Sequence, residues 1–169
     1  MRKILLSMLI VLAMLAVPVM ASDSVTPYTT VVKWTIPSTT TFTVTICSGA
    51  SDIHFQNNLT SPTQAWVQPD CQNNASSTPM LTIVNDANQN LNFTGFLNAS
   101  IYSWAQLFVN NDTDTVSSIE ITGTSPTFIF GHLPSGNSSS LYFWTNVTDA
   151  PVGSDYAREF TLNSTASND

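Results

Sequence analysis

Few side chains of this 169-residue chain could carry covalent or metal chemistry, since it has two cysteines and two histidines. Cys47 and Cys71 are 24 positions apart, with His54 between them, while His132 is distant and no Cys-x-x-Cys spacing occurs. Zinc sites use closely spaced Cys or His ligands, whereas an even number of cysteines in an exported chain indicates a disulfide. We therefore predict a disulfide between Cys47 and Cys71 and no metal site, with a loop-closure stabilisation of about 3–3.5 kcal/mol.

The acidic side chains do not form a recognisable catalytic set. Asp155 and Glu159 flank Arg158, and we predict an ion pair at a sheet end rather than the opposed carboxylates of a glycosidase. The run Asn-Asn-Asp-Thr-Asp at residues 110–114 fits a weak calcium site or a hairpin turn. We predict no catalytic residue, no cofactor and no enzyme activity. A secreted hydrolase that acts through Asp112 or Glu159 is kept as an alternative.

Asparagines in N-glycosylation motifs are the most specific feature of the sequence. Asn-x-Ser/Thr occurs eight times without proline in the middle position, at Asn58, Asn74, Asn92, Asn98, Asn111, Asn137, Asn146 and Asn163. A single match is weak, but eight in a weakly charged chain indicate a glycoprotein whose covalent glycans keep it soluble.

The charge balance excludes one class of partner. The chain has 4 Lys+Arg against 11 Asp+Glu, and 9% of its residues are charged. A nucleic-acid-binding protein needs a basic face that displaces counterions from phosphate, so no nucleic-acid partner is expected. Hydrophobic residues make up 43% of the chain, which is enough to bury a core and argues against disorder.

The first residues have the layout of a secretory signal peptide. Arg2 and Lys3 precede an apolar run at residues 4–17, and Ala21 provides a small residue for the cleavage site. An uncleaved membrane anchor is the alternative, because residues 4–21 approach the length that spans a bilayer. We expect a secreted, cell-surface protein with no membrane anchor after cleavage.

Hydrophobic residues alternate along the rest of the chain with a period of two. Phe42, Val44 and Ile46 share one face of a predicted strand. Further strands are predicted at residues 32–36, 81–84, 91–97, 103–109, 117–122, 127–133, 141–147 and 156–162. Asn-, Gly- and Pro-rich turns separate them, which indicates an all-β, antiparallel, immunoglobulin-like β-sandwich.

Residues 47–80 interrupt this pattern with prolines and many polar side chains. We predict a long loop stapled by the disulfide, with one short strand at residues 63–67. Trp66 in this loop either packs on a sheet edge or is exposed. The predicted organisation is a signal peptide at residues 1–21, an extended segment at 22–37 and a sandwich domain at 38–169.

Strand and turn sequences follow one another in a distinctive order late in the chain. Residues 79–85 (PMLTIVN) lead into an Asn-rich turn at 88–93 (NQNLNF), and the run LYFW at 141–144 precedes a Pro-x-Gly segment at 150–156 (APVGSDY). This pattern, over residues 79–163, resembles secreted archaeal surface proteins. The resemblance implies an immunoglobulin-like subunit of an extracellular filament or cell-surface layer. Some such thread-like, pilus-like subunits join by donor-strand complementation.

The N-terminal extended segment suits a donor strand, because it is β-prone and free of helix signals. Its predicted self-association residues are Val25, Tyr28, Val31, Val32, Trp34 and Ile36. The partner would then be further copies of the same chain in a homopolymer. Alternatively, the segment is the first strand of its own domain. A rival function is a secreted adhesin or carbohydrate-binding module that uses Trp66.

Overall fold

The computed structural model describes part of the chain, namely residues 29–34, 42–47, 50, 52–55, 58–151 and 155–167, with residues 29–34 and 155 described by their backbone. The predicted signal peptide at residues 1–21 lies outside these ranges. So do three of the predicted self-association residues, Val25, Tyr28 and Ile36.

Strands make up most of the described structure, and no α-helix occurs among these residues, which confirms the all-β class. The strands are β1 Thr29–Trp34, β2 Phe42–Ile46, β3 Ile53–His54, β4 Gln64–Val67, β5 Leu81–Asn85, β6 Leu91–Leu97, β7 Ala105–Asn110, β8 Ile119–Ile121, β9 Thr127–Leu133, β10 Ser138–Val147 and β11 Asp155–Ala166. A short 3-10 helix, Asn74–Ser76, lies between β4 and β5.

The strands form two sheets. One has the order β3-β1-β11-β6-β9 and the other β2-β5-β10-β7-β8, with β4 also paired to β10. The predicted antiparallel arrangement is confirmed for every described pairing except β1 with β11, which run parallel. A hairpin forces antiparallel pairing, but β1 and β11 lie at opposite ends of the described chain and no hairpin joins them.

Alternating apolar residues of both sheets form a shared core. Along β6, the buried positions alternate with half-buried ones from Leu91 to Leu97, as expected when one face of a strand is covered. Two edge-on ring pairs connect the sheets: Phe42 with Phe93 at 5.3 Å and Phe143 with Phe160 at 5.6 Å between centroids. Full burial of each such ring contributes roughly 1.5–3 kcal/mol.

A bulge interrupts the pairing of β6 with β9, where the register shifts on both sides of Phe93. The side-chain oxygen of Asn92 enters the gap and accepts a hydrogen bond from the His132 N–H at 3.1 Å. A Cβ on Gly131 would overlap this oxygen, so a larger residue there would displace the Asn92 side chain from the gap. The bulge thereby fixes the orientation of one predicted glycosylation site, Asn92.

Candidate functional site

The disulfide between Cys47 and Cys71 is formed, with 6.1 Å between the Cα atoms, which confirms the prediction. Both cysteines pack against the core from positions that are half-buried. The bond closes residues 47–71. It lies within the polar, proline-containing stretch at residues 47–80, which we call the stapled segment. The segment contains β3 and β4, and the sequence analysis predicted only a strand close to β4.

Part of the stapled segment, between Trp66 and Ser77, contacts the outer side of the second sheet, whereas β3 belongs to the first sheet. Tyr142 and Trp144 point to this face, because the residues that alternate with them along β10 belong to the core between the sheets. Both rings are nevertheless buried, at 5% and 1% exposure. The Tyr142 hydroxyl donates to the Ser77 carbonyl at 3.0 Å. The predicted loop is therefore packed against the second sheet at these residues rather than open to solvent.

The side-chain amide of Gln72 attaches the stapled segment to β10. Its Nε2 donates to the Phe143 carbonyl at 3.0 Å, and the Phe143 N–H donates to its Oε1 at 2.7 Å. Phe143 lies between the part of β10 that pairs with β5, ending at Leu141, and the part that pairs with β4, starting at Thr145. The amide of Gln72 thus takes the place of a strand residue in the gap.

Trp66 combines the two alternatives predicted for it. The side chain is 41% exposed, yet its ring lies on Phe108 of β7 with 4.8 Å between centroids. Its backbone has a φ of 54°, which is uncommon for a bulky residue and indicates a constrained position. The Trp66 N–H donates to Asn146 Oδ1 at 2.6 Å. The bond joins the backbone of β4 to a predicted glycosylation site on β10.

A depression of about 400 Å³ lies beside Trp66. Its polar walls come from the stapled segment and consist of Asn58, Gln64, Gln68, Asp70 and Gln72. Amide and carboxylate groups supply both donors and acceptors for hydroxyl groups, and the indole supplies an apolar face. This combination suits a saccharide better than an ion or an apolar molecule.

Arg158 lies on an aromatic cluster rather than beside an acid. Its guanidinium carbon is 3.6 Å from the centre of the Tyr102 ring, and its Nε donates to the Ser100 carbonyl at 2.9 Å. Tyr102 stacks on Trp104, and Tyr156 contacts both rings edge-on.

The ion pair predicted between Arg158 and Glu159 is wrong, because the guanidinium is engaged by the ring and by backbone carbonyls. The side chain of Asp155, the other predicted partner, lies outside the described atoms. Elsewhere, His54 Nδ1 and Asp70 Oδ2 are within hydrogen-bond distance, 3.1 Å apart.

The acidic run at residues 110–114 forms the turn between β7 and β8. Asn110 Nδ2 donates to the Asp114 carbonyl at 2.8 Å, and the Thr113 N–H donates to Asp112 Oδ1 at 2.6 Å. In the described part of the chain, no three His, Cys, Asp or Glu side chains gather closely enough to hold a metal ion.

All eight predicted glycosylation asparagines lie in described parts of the chain, and none is buried. Asn58, Asn98, Asn111 and Asn137 are exposed, and the half-buried ones are Asn74, Asn92, Asn146 and Asn163.

The amide groups of these asparagines are held in two ways. In Asn92, Asn98 and Asn146 the side-chain oxygen accepts a backbone N–H. The nitrogen, the atom that carries a glycan, is therefore the part of the amide not used in that bond. In Asn58 the nitrogen itself donates to the carbonyls of Gln68 and Pro69 at 3.0 and 3.3 Å.

The remaining predicted self-association residues, Val31, Val32 and Trp34, lie in β1. This strand pairs with β11 over six residues and with β3 over two. Trp34 is in register with Phe160, whose ring is fully buried. In this structure β1 is therefore an inner strand of its own domain.

No helix in the described ranges has the length and apolar character needed to cross a membrane. The chain matches no protein-family model, and neither a curated protein nor a solved structure is significantly similar to it.

Proposed function

We propose that this chain is an exported, N-glycosylated structural subunit with an immunoglobulin-like sandwich fold. Copies of it associate through β1 in an extracellular filament or cell-surface layer, and the host surface is archaeal. The observation that carries the proposal is the position of β1 in the first sheet.

The position of β1 is one that another copy of the same strand can fill. β1 lies between β3 and β11 and pairs with both. Without it, the half of β11 from Asp155 to Phe160 would be an unpaired edge, which is a template for another strand. A β1 from a second copy makes the same backbone hydrogen bonds, because its sequence is identical.

The connections of β1 favour such an exchange. The strand is followed by residues 35–41 and then by β2, which belongs to the other sheet. Seven residues in extended form span about 25 Å, which is the reach that this connection gives β1 from the start of β2. Cleavage after Ala21 would leave residues 22–28 as the only chain before β1.

An engineered disulfide between β1 and β11 tests the exchange. Val31 and Ala157 are in register, and neighbouring strands are about 4.8 Å apart, within the range that a disulfide bridges. The double variant Val31→Cys, Ala157→Cys should form a ladder of covalent oligomers on a non-reducing gel. A band of monomer alone, together with the absence of fibres by negative-stain microscopy, would contradict the proposal.

A matched control places the cysteines across a pairing that does not involve β1. Phe96 of β6 is in register with Thr161 of β11. The variant Phe96→Cys, Thr161→Cys should therefore remain monomeric after oxidation. A ladder from this control would show that the crosslinks arise from unfolding or random collision.

A secreted adhesin or carbohydrate-binding module is the second candidate function. It is favoured by the exposed face of Trp66 next to the polar depression in the stapled segment. Under this alternative, Trp66→Ala abolishes binding to a saccharide array. Phe128→Ala is the matched control, because Phe128 is also exposed but lies on β9 of the other sheet.

A further inference from the structure

We infer that the rings of Trp66 and Phe108 form the surface on which the N-glycan of Asn146 of the same chain packs. The inference rests on the N-glycosylation part of the proposed function and does not depend on strand exchange. It assigns the exposed indole to a ligand that the chain itself carries.

The amide of Asn146 is fixed beside the indole. Its Oδ1 accepts the Trp66 N–H at 2.6 Å, and its Nδ2 is 3.4 Å from Gln106 Oε1. Glycosylation replaces one hydrogen of Nδ2 and keeps the other, so both contacts are compatible with an attached sugar. Asn146 is half-buried, and its first sugar must therefore lie close to the protein surface.

The register of the strands brings the rings within reach of that sugar. Asn146 is opposite Gln106, and Phe108 is two residues further along β7, on the same face. Such diagonal neighbours are roughly 7–8 Å apart. Trp66 lies on Phe108 and leaves 41% of its surface exposed. The C–H face of a sugar can cover this ring, which removes apolar surface from water.

The backbone of Trp66 gives independent support. A φ of 54° is costly for a bulky side chain, and such a conformation persists only where the surrounding contacts hold it. The strained conformation presents the indole next to Asn146, because the N–H of the same residue makes the bond to Oδ1.

The test removes the glycan and leaves Asn146 in place. Thr148→Ala destroys the motif Asn146-Val147-Thr148 without changing the asparagine that bonds to Trp66. The protein is produced in an N-glycosylating host, and occupancy of Asn146 is measured by mass spectrometry. Hydroxyl-radical oxidation of Trp66 should rise about twofold in Thr148→Ala, as expected when a sugar that covers half of the exposed ring is lost.

Two controls separate the sugar from other effects. Ser139→Ala removes the motif of Asn137, which lies in an exposed turn, and should leave the oxidation of Trp66 unchanged. In a host that does not glycosylate, Thr148→Ala should also have no effect. A rise in that host would assign the effect to the lost hydroxyl group and overturn the inference.

Three further results would overturn it. The first is that mass spectrometry finds no glycan on Asn146 of the wild-type protein. The second is that Asn146 carries a glycan in wild type, but the oxidation of Trp66 is the same in wild type and in Thr148→Ala. Alternatively, an added free saccharide could protect Trp66 equally well in glycosylated wild type and in Thr148→Ala, which would assign the rings to an external ligand. Fibre formation is not a readout here, so failure of strand exchange and failure of this inference are distinguishable.

Discussion

Replacement of Gln72 by alanine should destabilise the domain far more than an ordinary polar substitution. Gln72 is 5% exposed, so its amide is largely shielded from solvent although the residue borders the depression beside Trp66. The Phe143 N–H and carbonyl each lose the partner that Gln72 provides. At about 1–3 kcal/mol for each of these two groups, the expected loss is about 2–6 kcal/mol. That is a large part of the ~5–15 kcal/mol that stabilises a typical domain.

The loss is measured by urea unfolding with the disulfide intact. With a slope of about 2 kcal/mol per molar urea, the midpoint should fall by about 1–3 M. Gln72→Met separates hydrogen bonding from packing, because methionine has a similar length and no amide. Most of the loss should persist in this variant.

Gln68→Ala is the matched control from the same segment. Gln68 is half-buried, and its side-chain oxygen accepts a hydrogen bond from the Asn74 N–H at 3.2 Å. Its loss should be about 0.5–1 kcal/mol. A Gln72→Ala or Gln72→Met protein as stable as wild type would refute the idea that the amide attaches the stapled segment to β10.

Three other perturbations follow from the structure. Replacement of Cys47 and Cys71 by serine should lower the free energy of unfolding by about 3–3.5 kcal/mol, measured by urea unfolding; an unchanged midpoint would contradict this. Gly95→Ala should cost about 1–3 kcal/mol, because its Cβ would lie 2.7 Å from a buried isoleucine, whereas Gly123→Ala meets nothing closer than 3.4 Å; equal melting temperatures would refute the difference. Arg158→Lys should lose about 0.5–2 kcal/mol, because lysine lacks the planar group that lies on the tyrosine ring; the check is thermal unfolding at low and high salt, and the loss should persist at high salt.

Two strands could be predicted from the sequence to the residue, since the predicted ranges 91–97 and 127–133 are those of β6 and β9. Other bounds differ: β7, β8 and β11 were predicted at 103–109, 117–122 and 156–162 and lie at 105–110, 119–121 and 155–166. β10 starts three residues before the predicted 141. Its serines pair with β5, and backbone pairing leaves no hydrophobic signal in the sequence.

The packing of the stapled segment on β10 could not be predicted from periodicity alone. The run Leu-Tyr-Phe-Trp at residues 141–144 has no polar position, and that is the signal of a strand covered on both faces. The sequence does not say what covers it. The hydrogen bonds of Gln72 to the Phe143 backbone could not be predicted either, because a single glutamine in a polar segment is typical of a loop. Likewise, the parallel pairing of β1 depends on tertiary contacts between distant parts of the chain.

Of the candidate site, the disulfide could be predicted from the sequence and the packing could not. An even number of cysteines together with the predicted export was sufficient for the bond between Cys47 and Cys71. The Asn-x-Ser/Thr motifs mark the asparagines, but their spacing does not reveal that Asn146 and Trp66 are bonded across 80 positions.

The parallel alignment of β1 with β11 has a mechanical consequence. When tension pulls the start of β1 away from the end of β11, the two strands slide along each other in opposite directions. All six registered residue pairs then bear the load at the same time, whereas a hairpin under tension opens one pair after another. This shear geometry resists stretching along the chain, and a subunit connected to its neighbours through these two strands would transmit force without unravelling.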